Sequence, residues 1–120
     1  TEYHCNTLTD SNESALKLIA EVGHPMFRTG WQPPNARSFE YRIAGLREVL
    51  PVLSTIHVFH WENVSDRRPL AEGRADWQEY LGTVNETGRD ADALLEFVMD
   101  DSLDQLADDA ETLRDMIRAL

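Results

Sequence analysis

Lysine is almost missing from this chain. Lys17 stands alone against ten arginines, while Asp and Glu together number 22, giving a net charge of −11. A chain this acidic has no basic stripe to follow a phosphate backbone, which argues against a nucleic-acid partner. Such a surface is seen in salt-adapted proteins and arises equally from a GC-rich genome. Either origin concerns solubility rather than fold. Cysteine is reduced to Cys5, so an internal disulfide and a CxxC zinc site are both excluded. No apolar run approaches the ~18–20 residues that cross a bilayer. No leader of basic, apolar and small residues marks the chain for secretion. The expectation is a cytoplasmic protein with no membrane partner. With no low-complexity stretch or linker, the 120 residues read as a single domain.

What is present is an alternation of strand-like and helix-like stretches. Residues 2–8 alternate polar and apolar positions and predict a strand. Thr9 or Asp10 then caps a helix to about Val22, with Ala15, Leu16, Leu18 and Ile19 on its apolar face and Gly23 just past its end. Residues 25–32 predict a second strand, stopped by Pro33 and Pro34. Ser38 opens a helix that runs to about Leu50 before Pro51. Residues 54–61 predict a third strand, followed by a polar loop over 62–73 and a helix over 75–86 that closes at Gly88. Residues 93–99 predict the fourth strand. Asp101 or Ser102 caps a last helix whose Leu103, Leu106, Ala110, Leu113, Ile117 and Leu120 recur at helical spacing.

Four strand–helix units, roughly 30 residues each, call for parallel strands with helical crossovers. The expected class is α/β: four βα units with parallel strands and outer helices, half of a (β/α)8 barrel. A whole barrel needs eight strands and about 250 residues. A half-barrel leaves one sheet face and two strand edges open. Three outcomes stay open: a piece of a longer protein, two copies closing one barrel, or a rearranged open sheet.

Ligands in (β/α) architectures bind at the carboxyl ends of the strands. Near those ends lie Glu2, His4 and Asn6, then Trp31 and Gln32, then His57 and His60, and finally Glu96. Glu96 sits in Leu94-Leu95-Glu96-Phe97-Val98, and a carboxylate in an apolar strand is costly unless paired or bound to a metal. An ion-paired structural glutamate is its ordinary reading. His57 alone reads as a hydrogen-bonded core histidine, but beside Glu96 on the next strand it points to a site. His4 and His60 also have the plain reading of half-exposed histidines. Arg67 and Arg68 lie in a loop, where arginines are usually solvated, yet Arg suits a bidentate grip on phosphate or carboxylate. Trp31, Trp61 and Trp77 read as core or pocket wall, Cys5 as a small packed residue, and Asp108-Asp109 as a solvated helix face.

Glu2-Tyr3-His4, Trp31-Gln32-Pro33, Ile56-His57-Val58-Phe59-His60-Trp61 and Leu95-Glu96-Phe97, in that order and spacing, resemble the C-terminal half of the xylose isomerase-like TIM barrels. These include the sugar phosphate isomerases/epimerases. The resemblance implies one divalent metal (Mn, Mg, Co or Zn) held by Glu2, His57 and Glu96, with Gln32 where the family has an aspartate. Gln offers a carbonyl oxygen but removes a negative charge from a hard-cation site. The resemblance further implies isomerisation or epimerisation of a sugar or sugar phosphate through an enediolate, with Glu2 and Glu96 as the proton-transferring pair. His4, Asn6, Trp31, His60, Arg67 and Arg68 would then line the substrate. The competing expectation is a non-catalytic half-barrel that pairs with another copy or with the missing half. A DNA-repair endonuclease on the related barrel fits less well, because the chain is poor in His and Asp ligands and in basic charge.

Overall fold

The computed structural model describes residues 1–63 and 65–120. The chain is mixed α/β, with four helices and a small three-stranded parallel sheet. The helices are α1 (Asn12–Val22), α2 (Phe39–Val49), α3 (Arg74–Asn85) and α4 (Leu103–Arg118). The strands are β1 (Thr29–Trp31), β2 (Leu53–Val58), β3 (His60–Trp61), β4 (Arg67–Arg68) and β5 (Asp92–Leu95). Two compact units divide the chain: Thr1–His57 with Asp90–Ala93, and Val58–Arg89 with Leu94–Leu120.

In the first unit the sheet runs in the order β1-β2-β5. β1 and β2 are parallel, pairing Thr29 with Leu53, Gly30 with Thr55 and Trp31 with Ile56, with an irregularity between Thr29 and Gly30. Helix α1 starts at a capping box: the Ser11 hydroxyl accepts the Ser14 N–H, and the Ser14 hydroxyl accepts the Ser11 N–H. It stops where Gly23 turns left-handed at φ 60° and returns its N–H to the Ile19 carbonyl. Ser38 caps α2 through the Tyr41 N–H, and a 3-10 turn over Leu50–Val52 follows with Pro51 near its start. Ala15, Ile19, Trp31, Ile43, Leu46, Val49, Leu53 and Ile56 are buried in this unit.

The expected strand over residues 2–8 does not form; the segment is irregular, with turns and bends from Cys5 to Thr9. Short polar side chains take its backbone groups instead. The Thr7 hydroxyl bonds the carbonyls of His4 (2.8 Å) and Thr9 (2.9 Å), and Asn6 turns left-handed at φ 64°. Thr1, just before the segment, meets β1, where the Gly30 N–H donates to the Thr1 carbonyl at 2.7 Å.

In the second unit β3 and β4 form an antiparallel hairpin, pairing His60 with Arg68 and Trp61 with Arg67. The expected single strand over residues 54–61 is thus two strands broken at Phe59. The Phe59 carbonyl accepts the Trp77 indole N–H at 2.8 Å, so α3 takes the group that a ladder would use. The expected strand over 93–99 stops at Leu95, because Phe97 is left-handed at φ 54°. The carboxylate of Asp109, expected on a solvated face, is buried: it accepts the Leu70 N–H at 2.9 Å and the Gln105 amide at 2.8 Å. That carboxylate ties α4 to the 3-10 turn Leu70–Gly73. Leu70, Trp77, Tyr80, Leu81, Val84, Leu113 and Met116 are buried in this unit.

Candidate metal centre

His57 lies on β2 between Ile56 and Val58, both buried, and strand alternation turns it to the other face. Thr55 shares that face. A Cβ on Gly30 of the neighbouring strand would sit 2.8 Å from the Thr55 hydroxyl and 3.5 Å from His57 Nε2. Glycine at position 30 therefore leaves room for both side chains.

The Glu2 carboxylate reaches the same imidazole: Oε1 lies 3.8 Å from Nδ1. The His57 side chain is 17% exposed and that of Glu2 44%. A charge-assisted hydrogen bond would draw the two atoms to ~2.7–2.9 Å. Two ligands on one tetrahedral cation, at bonds of ~2.0–2.2 Å, stand ~3.3–3.6 Å apart. At 3.8 Å the two groups form a loose ion-pair contact, too long for a direct hydrogen bond. Gln32, the residue after β1, carries a buried side-chain oxygen with no hydrogen-bond partner among the described residues. An acceptor left so is costly by about 1–3 kcal/mol, and a cation or a ligand hydroxyl would satisfy it.

Glu96 belongs to the second unit and is half-buried. Its N–H donates to the Val58 carbonyl of the same unit at 3.0 Å. Within the first unit Glu2 and His57 offer a metal ion one carboxylate oxygen and one imidazole nitrogen. That donor set suits Zn, Mn or Co, which accept mixed nitrogen and oxygen ligands.

The remaining expected site residues are dispersed. His4 and Asn6 lie on the exposed turn, with His4 Nδ1 3.1 Å from the Cys5 carbonyl oxygen. Trp31 is buried in the core of the first unit. His60 stands on β3 against Gly73, where a Cβ would come within 2.5 Å of its Nδ1. Arg67 donates to Asp101 at 2.6 Å and stacks 5.2 Å over the Phe97 ring. Arg68 lies between Glu62 (3.4 Å) and Glu72 (3.3 Å).

Two features were not read from the sequence. One is an aromatic cluster in which Phe59, Trp61 and Phe97 meet pairwise at 5.2–5.6 Å, mostly edge-on. The other is buried in the first unit. The Tyr3 hydroxyl donates to Asn12 Oδ1, and Asn12 Nδ2 donates to Glu48 at 3.2 Å. Burial, and then the nearby Glu48 carboxylate, raise the Tyr3 pKa. Tyr3 sits at an odd position of a short alternation, which is a weak signal. Asn12 gave none, being a polar residue at the start of a helix.

No protein-family model matches this chain, and neither does any curated protein.

Proposed function

We propose that this chain is a sugar (phosphate) isomerase/epimerase-type protein, the C-terminal half of a xylose isomerase-like barrel. In it Glu2, His57 and Glu96 hold one divalent cation beside a hydroxycarbonyl substrate. The observation that carries the reading is the Glu2–His57 pair, separated by 3.8 Å at the face that Gly30 keeps open. The resemblance of Leu95-Glu96-Phe97 to the last strand motif of that family supports it. So does the unpartnered buried oxygen of Gln32, which offers a neutral fourth donor where the family has an aspartate.

When bound, the cation polarises the substrate's oxygens as a Lewis acid. The chain's own groups move the proton. One glutamate takes it from the carbon next to the carbonyl, and the other returns it, to the opposite face in an epimerisation. Glu2 is largely open to solvent while Glu96 is half-buried, and carboxylates in unlike surroundings suit unlike roles. His57 holds its place between two buried neighbours and orients what Glu2 binds.

Solvent exchange tests this directly. With Mn²⁺ and a panel of ketose and aldose phosphates in D2O, the chain should wash deuterium into the carbon next to a carbonyl of at least one sugar. Glu2→Gln and Glu96→Gln should each lower that rate by ~10²–10⁴-fold. Absence of exchange across the panel, or exchange indifferent to both substitutions, contradicts the proposal.

A further inference from the structure

Glu2 stands on a segment with no secondary structure, yet it is brought to one side of His57. Something other than a strand ladder must hold it there. On its N-terminal side the Thr1 carbonyl accepts the Gly30 N–H at 2.7 Å. Its own carbonyl accepts the Thr9 hydroxyl at 3.3 Å. On its C-terminal side is Tyr3, 5% exposed, whose hydroxyl is spent on Asn12, itself 9% exposed. Asn12 then donates from its amide nitrogen to Glu48 on α2 at 3.2 Å. Gly45 makes this possible: a Cβ there would collide with the Asn12 side-chain amide.

We infer that Tyr3, Asn12 and Glu48, seated over Gly45, are positioning residues that fix the Glu2 carboxylate beside His57. The inference rests on the proposed role of Glu2 as a metal ligand and goes one shell outward from it. Each link has a fixed polarity. The Glu48 carboxylate oxygen accepts the Asn12 amide N–H, which sets that amide with its nitrogen toward Glu48. The Asn12 oxygen is then left to face Tyr3, and the Tyr3 hydroxyl must donate. The chain of bonds thereby fixes the Tyr3 ring, and with it the backbone one residue from Glu2. Glu13 and Tyr41 also face the Tyr3 hydroxyl electrostatically, and neither takes a hydrogen bond from it.

The test uses the full chain with Mn²⁺ as probe and two readouts. Tyr3→Phe keeps the ring and removes the hydroxyl; Gly45→Ala leaves Tyr3 intact and displaces Asn12. Each should weaken Mn²⁺ binding by about 10-fold, as loss of an outer-shell partner does. Tyr3→Phe should have no further effect in a Glu2→Gln background, because the relay acts only through Glu2. Independently of any metal, both variants should speed hydrogen exchange of the Gly30 amide, which reports whether the segment stays on β1. Unchanged Gly30 exchange in both variants overturns the inference. So does a Tyr3→Phe loss of Mn²⁺ affinity that persists undiminished in the Glu2→Gln background. If Glu2→Gln binds Mn²⁺ as well as the unsubstituted chain, the metal reading fails, and Gly30 exchange alone decides whether the clamp exists.

Discussion

Tyr3 shows how one side chain links burial, charge and pH. Its folded-state pKa is raised, first by burial and then by Glu48, so the folded chain holds this proton more tightly than the unfolded one. The contribution is fully present below the unfolded pKa of ~10 and is lost as pH rises above it. Urea midpoints should therefore fall between pH 9 and 11 in the unsubstituted chain, and fall less in Tyr3→Phe; parallel pH profiles would contradict the assignment. The sequence made Glu96 and His57 conspicuous because a charged or ionisable residue in an apolar strand is rare. It hid Asp109, whose helical neighbours are acidic and exposed, because only the tertiary partner Leu70 N–H explains its burial. Chain statistics do not contain that partner.

At the scale of elements, the helices were legible and the strand ends were not. Ser38 and Ser102 cap their helices and Gly23 ends α1, each by a local rule that sequence carries; the cap of α1 is Ser11 rather than the expected Thr9 or Asp10, because Ser14 three residues on completes a capping box with it. The strands over 54–61 and 93–99 stop early for reasons that are not local. Trp77 takes the Phe59 carbonyl, and the segment after Glu96 turns left-handed at Phe97, Asp100 and Asp101. Arg67 braces that segment from both ends, stacking on Phe97 and pairing with Asp101. Positive φ at a residue other than glycine costs about 1–2 kcal/mol. Asp100 is exposed at φ 57°, so Asp100→Gly should stabilise the chain by roughly 0.5–1 kcal/mol in urea unfolding. The contrasting substitution Asp115→Gly, inside α4, should destabilise it by roughly 0.2–0.4 kcal/mol. Equal losses from the two would show that no strain is stored at Asp100.

For the molecule as a whole, composition excluded more than it identified. The charge of −11 argues against a nucleic-acid surface, the single Cys5 leaves no internal disulfide or CxxC site, and among the described residues no helix is long and apolar enough to cross a membrane. The α/β class and the parallel sheet followed from the alternation of elements, while the expected count of four parallel strands became three. The missing strand is the one that carries Glu2, and hydrogen bonds from side chains hold that residue in its place. The central proposal is therefore that His57 on β2, Glu96 just past the end of β5 and Glu2 on an irregular segment serve a single cation. Crystals grown with Mn²⁺ and measured at the manganese edge test it most directly. The claim predicts one strong anomalous peak within bonding distance of Glu2, His57 and Glu96; a peak that none of the three touches, or no peak at saturating Mn²⁺, would contradict it.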